Sequence, residues 1–360
     1  MNRLGENRPT SFSLREGYGM ASDLLTLMRK LAPDLSDEMA RRAMILERIA
    51  VMQPVGRRQL AQCLRLPERE IRNTAALLKD LGYVELNASG MTLTEQAGSI
   101  MDAARDFSKA MSGLTDLENR LCAALPVDGV LIAAGDADEE GSVLSDVGRI
   151  CAGKLRSMLQ NGNTLAITGG RSVAAAVRSF QAAAPLNVMV VPARGGLGRS
   201  VEWEANTLAE EMAGKLGGHY RLIHLPDQLD SAALQEMLKL PEINEVMELL
   251  QRADVILHGV GKAEETMRWR AMSRSVQHRL TEQGARGESF GAYFDLNGNC
   301  LMEASGLGVD LARLKPTCRM IAVAAGSSKA EAILAVMRHG HHALLVTDEG
   351  AARRMTEMLG

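Results

Sequence analysis

Aromatic side chains are scarce in this chain. Phe, Tyr and Trp make up 3% of 360 residues, so any core is aliphatic, with 21 methionines as adaptable filler. Cysteine is nearly as rare: Cys63, Cys122, Cys151, Cys300 and Cys318 are odd in number, dispersed and without C-x-x-C pairing. That set argues against a disulfide framework and against a zinc site. No apolar run reaches the ~18 residues of a membrane span. The start, MNRLGENRPTSF, has no hydrophobic signal core, so the expected location is the cytoplasm. Cofactor fingerprints are missing too. Gly196-Leu197-Gly198, Gly259-Val260-Gly261 and Gly306-Leu307-Gly308 are followed at the third position by Val201, Glu264 and Leu311, where G-x-G-x-x-G needs glycine. With no G-x-x-x-x-G-K-[ST] either, neither NAD nor ATP chemistry is expected, and no cofactor or metal.

What the chain does have is a 46% apolar share and length for about two domains. Its charge is uneven. Overall it is -3, yet residues 41–94 hold nine Lys/Arg against five Asp/Glu, and residues 95–360 are left at -6. A basic N-terminal module on an acidic body suits nucleic acid bound by the small part only.

Residues 1–20 are polar and irregular, and Ser22–Leu31 reads as a short helix stopping near Pro33. From Ser36 a helical pattern runs to Gln53-Pro54, followed by Arg57–Leu64 and Pro67–Leu81 across a short turn, with Gly82 closing the last. Tyr83–Leu86 and Met91–Thr94 read as two strands around Asn87-Ala88-Ser89-Gly90. Helix, helix, turn, helix, hairpin is a winged helix-turn-helix. Ile71, Ala75, Leu78 and Leu81 form a stripe for the core, while Arg69, Arg72, Asn73 and Ala76 fall opposite. Arg grips guanine bidentately and Asn grips adenine, so that face suits the major groove, with Arg57 and Arg58 placed for phosphates. The alternative is a solvated face in which Glu68 and Glu70 balance the arginines.

Glu95–Ala124 is helix-forming and broken near Gly113; its Leu114, Leu117 and Leu121 serve either a dimer contact or docking on the body. Beyond Asp128, strand and helix alternate, which predicts a mostly parallel sheet with helices on both faces and a ligand at the carboxyl ends of its strands. Expected strands are Gly129–Ala134, Leu165–Ile167, Val188–Val191, Tyr220–His224, Asp254–His258, Met320–Ala324 and Leu344–Val346. Ser289–Leu296 and Asn299–Met302 read as a hairpin.

The centre of this half is Asn163–Val177. A short apolar strand runs through Thr168, Gly169, Gly170, Arg171 and Ser172 into an alanine-rich helix, the arrangement of an anion site with free amides at a helix start. Strand-end glycines recur beside Arg194, Lys262 and Lys329, so two separated cationic loops suit a ligand with two phosphates. His258, Glu288 and Asp295 are the acid/base candidates if the body is a sugar-phosphate isomerase or deaminase. His258 also reads as a core histidine and Asp295 as a turn residue. A third possibility is a DNA-binding scaffold whose body only oligomerises.

The stretches MQPVGRRQLAQCL, SGMTLTEQ, GDAD, ITGG, VPARGGLG and GSSKAEAI together resemble the SorC family of transcriptional repressors, from about Arg41 onward. The resemblance implies an N-terminal winged helix-turn-helix followed by a Rossmann-like, sugar-phosphate-isomerase-like effector domain used as a sensor. It also implies control of a glycolytic operon, relieved by fructose 1,6-bisphosphate. Effector contacts then fall on Gly169, Gly170, Arg171, Ser172, Arg194, Arg270, Glu288 and Lys329. Arg171, Ser172, Arg194 and Lys329 would hold phosphates, Glu288 would accept hydroxyl hydrogens, and Arg270 would anchor the far end. Arg171-Ser172 departs from the Thr pair of such relatives. The expected partners are operator DNA and a sugar phosphate, with no membrane, in a homodimer or homotetramer. The expected domains are 1–35 (mobile or helical), 36–94 (reader), 95–124 (helical linker) and 125–360 (effector).

Overall fold

The computed structural model describes residues 27–28, 30–64, 66–182, 184–195, 201–225, 231–303 and 308–360. The segment expected to be irregular at 1–20 and the glycines at 196 and 198 lie outside them, as does most of Ser22–Leu31. Two compact units divide the chain, Met1–Thr115 and Asp116–Gly360.

The first unit holds α1 (Pro33–Met52), α2 (Arg57–Leu64), α3 (Glu68–Asp80), β1 (Val84–Asn87), β2 (Gly90–Leu93) and α4 (Gly98–Met111). The helical residues 27–28 and 30–31 stop at Ala32, as expected, and Pro33 opens α1 directly, three residues before the expected start at Ser36, since a first-turn position needs no amide donor. α3 carries Glu68 and Glu70 in its first turn and Lys79 in its last, complementing the helix dipole at both ends. β1 and β2 pair antiparallel from Val84↔Leu93 to Asn87↔Gly90, forming the wing. Ile45, Leu46, Ile49, Leu60, Ile71 and Leu78 pack one apolar core with Val84 and Met91. One expected core residue is displaced: Leu81 is 50% exposed. It lies one residue past the helix, just before the chain reverses at Gly82 (φ +80), and buried Thr74 completes the inner face instead.

α5 (Leu114–Ala124) follows Gly113, whose φ of +78 breaks it from α4. Leu117 and Leu121 are buried within the chain itself, so docking accounts for them. The second unit is built on a seven-stranded, all-parallel sheet. Its strands are β3 (Val130–Ala133), β4 (Thr164–Ile167), β5 (Met189–Pro192), β6 (His219–Tyr220), β7 (Val255–Gly259), β12 (Arg319–Val323) and β13 (Leu344–Asp348), in the spatial order β3-β13-β12-β7-β4-β5-β6. Helices α6 (Ser142–Met158), α7 (Arg171–Ser179), α8 (Ala205–Leu216), α9 (Ser231–Met237), α10 (Pro241–Gln251), α13 (Ala330–His339) and α14 (Glu349–Leu359) connect or follow these strands. The alanines of α7 let it approach α6 so closely that a Cβ on Gly148 would sit 2.5 Å from the Ala175 backbone.

A second, antiparallel sheet has the order β11-β10-β9-β8: β8 (Gly261–Lys262), β9 (Ala285–Ser289), β10 (Ala292–Asp295) and β11 (Cys300–Met302). Between β8 and β9 lie α11 (Ala263–Trp269) and α12 (Arg274–Glu282). The single strand expected over Ser289–Leu296 is therefore wrong. Phe290 and Gly291 adopt φ of +53 and +85, a two-residue reversal that splits it into β9 and β10. The strand expected over Tyr220–His224 is also shorter and earlier, only His219–Tyr220 at the sheet's edge.

Candidate functional site

The strand order places the site. From β4 the chain steps outward to β5 and β6, then returns to lay β7 on the other side of β4 and moves outward again through β12. β4 and β7 thus flank the point where the winding reverses, where open α/β sheets bind ligands beyond their strand ends. Their ends are joined: Gly259 N donates to Thr168 Oγ1 at 3.0 Å, and Thr168 N donates to the Leu257 carbonyl at 3.0 Å. Loops after four adjacent strands, β5, β4, β7 and β12, carry Arg194, Gly169–Ser172, Gly259–Lys262 and Lys329 to one rim.

At the end of β4, Gly170 (φ +123) precedes α7 and offers no side-chain cap. The first-turn amides of α7 are therefore left for another acceptor. Gly169 is required for a close approach, since a Cβ there would lie 2.5 Å from the Trp203 carbonyl. That carbonyl also accepts from Gly170 N at 2.8 Å, so the site's donors begin at Arg171. Ser172 is buried and Arg171 exposed.

Two groups of charged side chains lie along the rim. In the first, Lys329 Nζ donates to the Val260 carbonyl at 3.2 Å, and Lys262 Nζ reaches Ser328 Oγ at 3.4 Å and Glu265 at 2.6 Å. Burial holds the Lys329 ammonium below its usual pKa, and the nearby charges of Arg171 and Lys262 push the same way. In the second, Glu288 on β9 accepts from Gly291 N at 2.6 Å and from Arg270 Nη2 at 3.4 Å. Both side chains of that ion pair are 10% exposed. Arg194 Nη1 donates to the Phe290 carbonyl, and its guanidinium lies where a Cβ on Gly291 would be. Burial lowers the Arg194 and Arg270 pKa values, while Glu288 opposes the shift in each. Tyr293, beside Thr266, belongs to this group; burial and then Glu288 raise its phenol. The register Gly261↔Glu288 across β8 and β9 sets the two groups side by side. A cavity of about 530 Å³ opens next to Arg194 and Phe290 with mostly apolar walls, among them Leu234, Leu238 and Met247.

All eight residues expected at the effector site therefore sit at or beside this rim. Arg270 is at the end of α11, where it closes the helix and turns inward to Glu288. Tyr293 and Thr266 were missed: the reversal at Phe290-Gly291 turns β10 back so that Tyr293 lies opposite Glu288, and Thr266 meets it from α11. The acid/base candidates separate. His258 is fully buried, with Nδ1 3.0 Å from Ser289 Oγ and its ring against Phe290 and His342. Burial, then His342, pushes its pKa down to about 3. Asp295 is a turn residue, accepting from Asn297 N and Asn299 N at 2.9 and 2.8 Å. Among the described residues no group of His, Cys, Asp or Glu is placed to hold a metal, and no helix is long and apolar enough to cross a membrane.

In the first unit Arg57 and Arg58 stand exposed at the start of α2, and Arg69, Arg72 and Asn73 are exposed along one face of α3. The acidic residues balance this face little. Glu70 pairs with Arg41 of α1 at 2.7 Å, and Glu68 meets Arg58 at 3.5 Å.

Residues 39–107 match the family described as "CggR N-terminal DNA binding domain", and residues 109–357 the one described as "Putative sugar-binding domain". The chain is 37% identical over 334 residues to the central glycolytic genes regulator of Priestia megaterium, covering 92% of this chain and 98% of that one. With the regulator of the same name from Bacillus subtilis the identity is 34% over 335 residues, 93% and 98% of the two chains. A SorC-family transcriptional regulator from Enterococcus faecalis superposes with a TM-score of 0.61 at 33% identity, over 67% of this chain and 99% of that one. The full-length sorbitol operon regulator SorC of Klebsiella pneumoniae shares the fold at a TM-score of 0.63 and 19% identity, over 90% and 99%. With its DNA-binding and sugar-binding domains in this order, the chain belongs to the SorC family of transcriptional regulators.

Proposed function

We propose that this protein represses a glycolytic operon, and that a phosphorylated sugar, foremost fructose 1,6-bisphosphate, loosens its hold on operator DNA. The observation that carries the reading is the pair of cationic groups set side by side at the switch point, with the Glu288 carboxylate between Arg270 and the Gly261 strand and Glu265 on Lys262. Cations gathered in two groups on one rim suit a dianion at each end of a small molecule. Arg171, Ser172 and Lys329 take one phosphate with the amides of α7, Gly169 and Gly170 keeping the approach open. Arg194 and Arg270 take the other, and Glu288 accepts sugar hydroxyls. The relatives named as central glycolytic genes regulators support the operon class.

Arg69, Arg72 and Asn73 face the bases and Arg57 and Arg58 the backbone. A ligand changes operator affinity only by favouring one of two arrangements, so the working unit is a homodimer or homotetramer on a partly palindromic operator. The test is a melting screen across phosphorylated sugars, since a ligand bound only by the folded state raises the melting point. Fructose 1,6-bisphosphate should stabilise most and should release operator DNA in a mobility assay. Glucosamine 6-phosphate and ribose 5-phosphate should yield no product. Equal melting points with and without every sugar phosphate would refute the sensor.

A further inference from the structure

The turn Gly326-Ser327-Ser328-Lys329 has the look of a phosphate cradle, with glycine, two serines and a lysine after a strand. Its amides are already taken. Gly326 N donates to Asp348 Oδ2 at 2.9 Å, Ser327 N to Asp136 Oδ1 at 3.1 Å and Ser328 N to Asp138 Oδ2 at 2.8 Å. The Asp138 carboxylate lies so close over the turn that a Cβ on Gly326 would be 2.6 Å from Oδ1, and Gly326 has φ +106. Asp138 N in turn donates to Asp136 Oδ1 at 2.9 Å, which makes the two aspartates one unit. These hydrogen bonds hold Asp136 below the usual carboxylate range, against its burial. The bonds span about 190 positions of sequence and fasten the loop after β3 to the loop after β12.

We propose that Asp136 and Asp138 are positioning residues for Lys329. By accepting the amides of Ser327 and Ser328 they fix the turn in one conformation. The lysine then leaves the turn toward the Val260 carbonyl and the α7 side of the rim, where Arg171 also acts on it. A bound phosphate meets the Lys329 side chain and the start of α7, not the amides of the turn. A lysine free to sample many rotamers would give up part of its contact energy to ordering, and the fixed turn removes part of that cost in advance. This role rests on the reading that Lys329 contacts a ligand phosphate.

The test is a double-mutant cycle on the full chain, read by titration calorimetry with fructose 1,6-bisphosphate. The proteins are the parent, Asp138→Ala, Lys329→Ala and the pair. Asp138 is exposed, so the melting point of Asp138→Ala should stay near that of the parent. Asp138→Ala, which removes the acceptor of the Ser328 amide, should weaken binding roughly five- to tenfold in the parent and not at all once Lys329→Ala is present, the coupling expected of residues acting as one. Equal losses in both backgrounds would overturn the proposal. So would tighter binding by Asp138→Ala, which would make the carboxylate a competitor of the ligand. If Lys329→Ala itself binds like the parent, the phosphate reading of this lysine fails and the positioning role falls with it. If Lys329→Ala weakens binding and Asp138→Ala does not, only the positioning role fails.

Discussion

Acid should destabilise the sugar-binding unit, and two buried histidines set the amount. His258 packs against Phe290 at 4.7 Å and His342 at 5.1 Å between ring centres. Burial is the first cause of the shift in both, taking His258 from 6.5 to about 3 and His342 to about 4. The unfolded chain binds protons at the ordinary 6.5, so between 6.5 and the folded values it holds more protons than the native state. Stability supplied by the neutral rings is complete above pH 6.5 and is lost as pH falls toward 4 and 3. At about pH 5 each ring lies some 1.5 units below its unfolded pKa, a loss of about 2 kcal/mol per histidine and roughly 4 kcal/mol for both. That is a large part of the ~5–15 kcal/mol typical of a domain. Both tryptophans, Trp203 and Trp269, lie in the second unit, so urea unfolding followed by selectively excited tryptophan fluorescence reports this unit alone. His258→Gln should cost stability at neutral pH, yet should roughly halve the difference between about pH 7.5 and pH 5. A variant whose pH difference equals the parent's would refute the assignment of proton uptake to these rings.

Arg72→Ala should cost about 1–3 kcal/mol on operator DNA if the side chain reads a base, measured by anisotropy against random duplex; an equal loss on both sequences makes it a backbone contact. Gly291→Ala should weaken sugar-phosphate binding at least tenfold, because its Cβ would fall on the Arg194 guanidinium and its φ of +85 resists a side chain. Unchanged calorimetric affinity would remove Arg194 from the site. Arg171→Ala should lower both the affinity and its dependence on salt, since an exposed cation at a helix start acts through charge. An unaltered salt slope would count against that role. Operator affinity itself should fall linearly in log–log form with salt, as neutralised phosphates require.

The reader was legible because each of its elements carries its own local signals. Pro67 and Gly82 bracket α3, and apolar and polar positions alternate around it at helical spacing. The parallel sheet was legible for the same reason, strand by strand. Other features depend on contacts that no local pattern records. Nothing in the sequence marks Phe290 for a positive φ, so the reversal that creates β9 and β10 was hidden. The two residues of β8 are too few to show a period. Nothing within GDAD announces the role of its aspartates, since their partners Ser327 and Ser328 lie near the far end of the chain. Leu81 misled because a helical stripe says nothing about where the helix stops.

The first and last strands of the parallel sheet are neighbours: Val130 pairs with Leu345 and Ala133 with Asp348. On the ribosome the operator-reading half is complete while the sensing half still lacks the strand that covers its β3 edge. Pairings this remote in sequence form slowly, and an uncovered strand is an invitation to aggregate. A nonsense codon ahead of Leu344 therefore leaves the DNA-binding domain whole and the sugar-binding domain with an open sheet edge that tends to aggregate.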